Sequence, residues 1–95
     1  MCSYNKINQV YSCNDKRTMT HLRENLGFDG FVMSDWGAVH GPAKEYLPNG
    51  CDQEMGTMYG LWYSFWHLMH TSEKDVYTAC HRIAKAWIRL GLYEE

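Results

Sequence analysis

Gly27-Phe28-Asp29-Gly30-Phe31-Val32-Met33-Ser34-Asp35-Trp36-Gly37 is the stretch whose reading decides the fold. Two glycines bracket a sharp turn. Phe31, Val32 and Met33 then read as a short buried strand, and the apolar run stops abruptly at Ser34, Asp35 and Trp36. A carboxylate is thus expected at the carboxyl end of a strand. In barrels of alternating strands and helices the loops leaving those ends form the open face on which chemistry is done. Asp35 is the first candidate for a functional residue. The bland alternative is an aspartate that caps the following turn.

Working outward, residues 1–5 start without a preceding turn or cap, as a strand opened just before its tip would. Residues 5–14 are polar and read as a loop, with Asn14 or Asp15 placed to cap a helix. Met19, Leu22 and Leu26 then share one helical face, while Lys16, Arg17, Arg23 and Glu24 point elsewhere, and Gly27 supplies a left-handed stop. Beyond the central strand, residues 37–50 hold Gly37, Gly41, Pro42, Pro48 and Gly50. So many breakers predict an irregular loop with a short helical turn over residues 43–47.

Residues 51–55 read as another short strand, which puts Asp52 and Glu54 on one face. Two carboxylates at that spacing near a strand end usually bind backbone, and neither is assigned as a catalytic acid. Residues 57–70, with Tyr59, Trp62, Tyr63, Phe65 and Trp66, predict a helix that covers apolar surface. The clearest helix starts at Ser72, whose hydroxyl is expected to form a reciprocal cap with Asp75. Along it Val76, Cys80, Ile83, Trp87 and Leu90 form the apolar stripe, Lys74, Arg82, Lys85 and Arg89 are left to solvent, and Gly91 ends it.

The 95 residues can bury one modest core. A complete barrel of eight strand and helix pairs takes about 250 residues, so about the last third of one is the most that fits. No repeat or linker divides the chain. A net charge of -2 without a basic cluster argues against nucleic acid or an anionic membrane surface as partner. Neither a long apolar span nor an export signal is visible. The four cysteines, at 2, 13, 51 and 80, lack Cys-x-x-Cys spacing, so a structural zinc site is not expected. Cys80 reads as a small buried hydrophobe, and Cys51 has no assigned role. His67 and His70 lie one helical turn apart without an obvious third ligand, so no metal is expected there either.

Residues 26–37, preceded by Met1-Cys2-Ser3-Tyr4-Asn5 and followed by Cys51-Asp52-Gln53-Glu54-Met55, resemble glycoside hydrolase family 3, the β-glucosidases and their relatives. Arg89-Leu90-Gly91-Leu92-Tyr93 is similar to the end of that family's barrel domain. The resemblance implies an α/β fold: a partial TIM-type (β/α) barrel made of the last strands and closing helices, with residues 1–95 as the carboxyl-terminal portion of the barrel domain. It makes Asp35 the catalytic nucleophile of a retaining glycosidase. It also places Trp36, Tyr4 and Met1 at the substrate, although Trp36 and Tyr4 read by themselves as packing aromatics.

A disulfide between Cys2 and Cys13 is implied by the family's fungal members, as is secretion. No cofactor is implied. The partners would be a β-glucoside or short oligosaccharide and the remainder of the barrel with its following domain, which supply the general acid and the upstream sugar-binding residues. The expected reaction removes terminal non-reducing β-D-glucosyl residues through a glycosyl-aspartate. The alternative is a non-catalytic truncated fragment, or a small module that binds sugar or another subunit through its aromatic surface. Gln9, where glycine is common, His21, Asn25, and Gly56, where proline is frequent, depart from the family pattern at supporting positions.

Overall fold

The computed structural model describes residues 1–56 and 62–92. Two strands are formed among them, β1 (Lys6–Ile7) and β2 (Val10–Tyr11), paired antiparallel with Lys6 opposite Tyr11 and Ile7 opposite Val10. Four α-helices follow: α1 (Lys16–Thr20), α2 (Ala43–Tyr46), α3 (Phe65–Met69) and α4 (Glu73–Arg89). The described chain is therefore richer in helix than the α/β expectation.

The hairpin replaces the expected loop over residues 5–14. Its turn residues Asn8 and Gln9 have φ of 47° and 72°, the doubly left-handed form that matches the twist of paired strands. Strands of two residues carry no readable alternation, and Asn-Gln is a weaker turn signal than Asn-Gly. Glycine is the residue that adopts such a φ without steric cost, which gives the departure at Gln9 a physical content.

Asp15 caps α1: its Oδ2 accepts from the Thr18 amide at 3.4 Å and from the Thr18 hydroxyl at 2.5 Å. Met19 is buried as expected, but Leu26 is 67% exposed. A wider π-helical turn over His21–Asn25 takes up extra backbone and swings Leu26 off the apolar face. Gly27 then closes the segment at φ 68°. Helix α2 and the 3-10 turn Leu47–Asn49 fall where the short helical turn was expected, and Gly50 ends them at φ 107°.

The stretch over residues 31–35 is not an extended strand. It makes isolated parallel bridges on both sides, Ser34 with Cys2 and Met33 with Gln53. Three chain tips thereby lie side by side in the order 1–3, 32–34, 51–53. The Cys2 amide donates to the Met33 carbonyl at 2.9 Å, and the Asp35 amide to the Cys2 carbonyl at 2.9 Å. On the other side the Ser34 amide donates to the Gln53 carbonyl at 2.9 Å, and the Asp52 amide to the Val32 carbonyl at 2.8 Å.

Val32, Cys13, Met19, Val39, Tyr46 and Cys51 form the core beneath these tips, and Ala43, Leu47 and Ala79 form a second cluster. Tyr63 packs against both. Of the helix expected over residues 57–70, the described residues form α3, preceded by a bend over residues 62–64; residues 57–61, Tyr59 among them, lie outside the described residues. Trp62 and Tyr63 turn inward, whereas Phe65 and Trp66 are exposed.

Helix α4 ends at Gly91, with φ 68°, as read from the sequence. Its start differs: Ser72 makes no side-chain cap, and its carbonyl accepts the Asp75 and Val76 amides at 3.0 and 3.1 Å instead. Its docked face differs as well. Ala79 is buried and Val76 and Ile83 half-buried, but Cys80, Trp87 and Leu90 of the expected stripe are exposed. Arg82, Lys85 and Arg89 are not simply solvated: they pair with Asp52 and Asp29, so the docked face includes charged positions that the apolar stripe leaves out.

Candidate functional site

Asp35 sits directly after the middle tip, half-buried. Its Oδ1 accepts from the Trp36 amide at 2.8 Å and its carbonyl from the Ala38 amide at 3.1 Å. Ser34 beside it is fully buried, and its hydroxyl accepts from the Met55 amide at 3.0 Å. The carboxylate is thus held by the next amide along the chain, and the backbone of Ser34 and Asp35 is held by the neighbouring tips.

Tyr4 and Trp36 flank it. The Tyr4 hydroxyl donates to the Trp36 carbonyl at 2.6 Å, and both rings stay open, 52% and 56% exposed. Desolvation of the Tyr4 hydroxyl and, after it, hydrogen bonding to and the charge of Asp35 hold that phenol above its ordinary value. A flat indole face beside a carboxylate suits the carbon-hydrogen side of a pyranose ring. Met1 is placed differently. It lines a cavity of about 380 Å³ with Ile7, Leu22, Phe28 and Phe31, and Asp35, Trp36 and Tyr4 do not line that cavity.

A disulfide joins Cys2 to Cys13 and ties the first tip to the turn after the hairpin. The Ser12 hydroxyl reinforces the tie by donating to the Ser3 carbonyl. Cys51 is free and fully buried; burial pushes its thiol up to about 11. The Tyr63 hydroxyl donates to the Cys51 carbonyl at 2.7 Å, and burial raises this phenol as well.

Asp52 and Glu54 are taken up by structure. The Asp52 carboxylate has no exposed surface. Its Oδ2 accepts from Arg23 Nη2 at 2.6 Å and the Val32 amide at 2.8 Å, and its Oδ1 from Arg82 Nη1 at 2.8 Å. Arg23 also donates to the carbonyls of Gly30 at 2.8 Å and Gly50 at 3.1 Å. One buried carboxylate therefore holds the π-helical turn His21–Asn25, α4 and the middle tip together, the last at Val32, three residues ahead of Asp35. Glu54 Oε2 accepts from the Trp62 and Tyr63 amides at 3.1 and 2.7 Å.

Sequence reasoning missed the Arg23–Asp52–Arg82 network. The available signal was weak: an arginine on the polar face of each helix and a carboxylate inside an otherwise apolar tip. His67 Nδ1 lies 3.1 Å from the Ser64 hydroxyl and His70 Nδ1 lies 2.7 Å from the Trp66 carbonyl, so each is occupied locally.

No protein-family model matches the chain. Individual relatives do. β-Glucosidase 1 of Saccharomycopsis fibuligera is 46% identical over 71 residues, which is 70% of this chain and 8% of that enzyme. β-Glucosidase 1 of Aspergillus aculeatus is 50% identical over 56 residues, 58% of this chain and 6% of the enzyme.

The solved structure of a β-D-glucoside glucohydrolase from Trichoderma reesei superposes on the whole chain with a TM-score of 0.85 at 28% identity, over 15% of its own length. The β-glucosidase of Chaetomella raphigera matches 97% of the chain with a TM-score of 0.83 at 32% identity, over 14% of its length. The resemblance to β-glucosidases of glycoside hydrolase family 3 therefore holds in both sequence and backbone. The chain spans less than one tenth of the length of the relatives matched by sequence.

Proposed function

We propose that residues 1–95 are the carboxyl-terminal portion of the barrel domain of a retaining β-glucosidase, and that Asp35 is its nucleophile. The observation that carries this reading is the position of Asp35: a backbone-anchored carboxylate at the end of the middle of three parallel-bridged tips, between the open rings of Tyr4 and Trp36. The three tips with helices between and after them support the partial barrel.

In this reading Asp35 attacks the anomeric carbon of a terminal β-D-glucosyl residue, the aglycone oxygen leaves with a proton from a general acid, and water then hydrolyses the glycosyl ester. The acid must stand about 5 to 5.5 Å from the nucleophile. Asp52 and Glu54 are committed to arginines and backbone, so the acid comes from the longer enzyme. Trp36 and Tyr4 line the terminal-sugar subsite, and Met1 acts on the pocket wall once the upstream barrel covers its cavity. The Cys2–Cys13 disulfide and the kinship with β-glucosidases support secretion. No helix of the described residues is long and apolar enough to cross a membrane.

A second reading is favoured by one observation. Tyr77, Trp87, Ile88 and Leu90 leave an apolar face of α4 open, so the chain by itself does not turn over glucoside and behaves as a fragment or a binding module. An activated 2-fluoro-β-glucoside that stalls at the ester stage separates the assignments in the longer enzyme. Peptide mapping should find the label on Asp35; a label on any other carboxylate would sink the nucleophile role.

A further inference from the structure

The hydrogen bonds between the middle and third tips follow the alternation of a parallel ladder as far as Ser34 and then break from it. The Gln53 amide donates to the Val32 carbonyl at 3.2 Å, and the Ser34 amide to the Gln53 carbonyl at 2.9 Å. By the same alternation the next rung would pair Asp35 with Met55. The Met55 amide would donate to the Ser34 carbonyl, and the Trp36 amide to the Met55 carbonyl.

In both bonds a side-chain oxygen stands in for the backbone acceptor. The Met55 amide donates to the Ser34 hydroxyl at 3.0 Å, and the Trp36 amide donates to Asp35 Oδ1 at 2.8 Å. The chain then turns at once: the Ala38 amide donates to the Asp35 carbonyl at 3.1 Å, and Gly37 takes φ 76°.

The two exchanges depend on each other. An amide beside a fully buried residue must find an acceptor within the protein, and Ser34 has no exposed surface. Its hydroxyl satisfies the Met55 amide without committing the Ser34 carbonyl, so the middle tip can leave the ladder one residue before Asp35. The Trp36 amide is thereby left for the carboxylate. An alanine at this position offers the Met55 amide only the carbonyl, which restores the rung and draws the Trp36 amide toward Met55 and away from Asp35.

We propose that Ser34 is a positioning residue for the nucleophile: its hydroxyl ends the ladder and so assigns the Trp36 amide to the Asp35 carboxylate. The inference rests on the reading of Asp35 as nucleophile. Ser34 itself, fully buried, does not touch the sugar.

The test uses the longer enzyme and an activated 2-fluoro-β-glucoside, with the trapping rate at saturation and the half-saturating concentration measured separately. In Ser34→Ala the trapping rate should fall about tenfold or more, because a misplaced nucleophile loses rate rather than binding. The half-saturating concentration should change by less than about threefold. A trapping rate within about twofold of the unmutated enzyme overturns the proposal, and so does a change confined to the half-saturating concentration. A smaller labelled fraction that reacts at the unmutated rate is the signature of a role in folding alone and also overturns it. Ser34→Thr keeps the acceptor and should be trapped faster than Ser34→Ala; the reverse order overturns the proposal. The labelled peptide separates the two levels of the argument. Label on Asp35 with an unchanged rate in Ser34→Ala removes the role of Ser34 alone, whereas label on another carboxylate of the unmutated enzyme removes the nucleophile reading and the role of Ser34 with it.

Discussion

The three chain tips and the outer face of α4 both carry apolar side chains and end in opposite states. At the tips, amides and carbonyls are exchanged with neighbouring segments, and Asp52, Glu54 and Ser34 find partners inside the chain. On the outer side of α4, Trp87 is 52% and Leu90 73% exposed, while the opposite side is bound through Ala79 and the ion pairs of Arg82, Lys85 and Arg89. The difference teaches where this chain is self-sufficient. It holds the backbone around Asp35 with its own residues, and among the described residues the far side of its last helix meets no partner.

The largest effect that would sharpen this contrast is chemical. In the longer enzyme, Asp35→Asn should lower turnover of an aryl β-glucoside by about four orders of magnitude and leave the melting temperature unchanged. Equal turnover would break the link between the braced tips and catalysis.

Next in size is the brace itself. Asp52→Ala strands two arginines and the Val32 amide, and urea unfolding should show a loss of about 3 to 5 kcal/mol. A loss under 1 kcal/mol would mean that the buried network holds the tips no better than a surface ion pair does.

Asp15→Ala removes the α1 cap and should cost about 1 kcal/mol near neutral pH. The hydrogen bond from the Thr18 hydroxyl holds this carboxyl below its ordinary 3.8. A depressed folded value means that the contribution is complete above 3.8 and is lost as pH falls through the folded value. The wild type and the variant should therefore converge in stability once the pH has fallen below the folded value of this carboxyl; a gap that persists there would separate the cap from its charge.

Gln9→Gly relieves a left-handed turn residue and should raise stability by roughly 0.5 to 1 kcal/mol in the same unfolding experiment. Smallest of all, Trp87→Gln should change the stability of the isolated chain by less than about 0.5 kcal/mol and raise its solubility. A large destabilisation would show that the α4 face is covered after all.

Legibility followed the range of the interactions. Gly27 and Gly91 were readable as helix ends because a left-handed residue is a local requirement, and their φ values bear this out. Asp15 was readable as a cap for the same reason. The hairpin was hidden because two-residue strands have no period, and the Ser72 cap was misread because a backbone carbonyl took the amides that the side chain was expected to bind. Leu26 and Cys80 were placed on stripes by regular helical spacing. A π-helical turn precedes the first, and the helix that carries the second docks through Ala79 and Arg82 instead.

The sequence by itself determined the local framework: a carboxylate after a short apolar run, the breakers around it, the helix ends, and the likeness to β-glucosidases. Tertiary structure alone decided that Asp52 meets Arg23 and Arg82 from 29 and 30 residues away, and that Cys51 comes to rest 3.9 Å from the sulfur of Cys2. The reason is physical. Turns and caps are chosen by atoms within a few residues of each other, whereas the partner of a buried charge or thiol is chosen by which segments pack together, and spacing along one chain does not encode that choice.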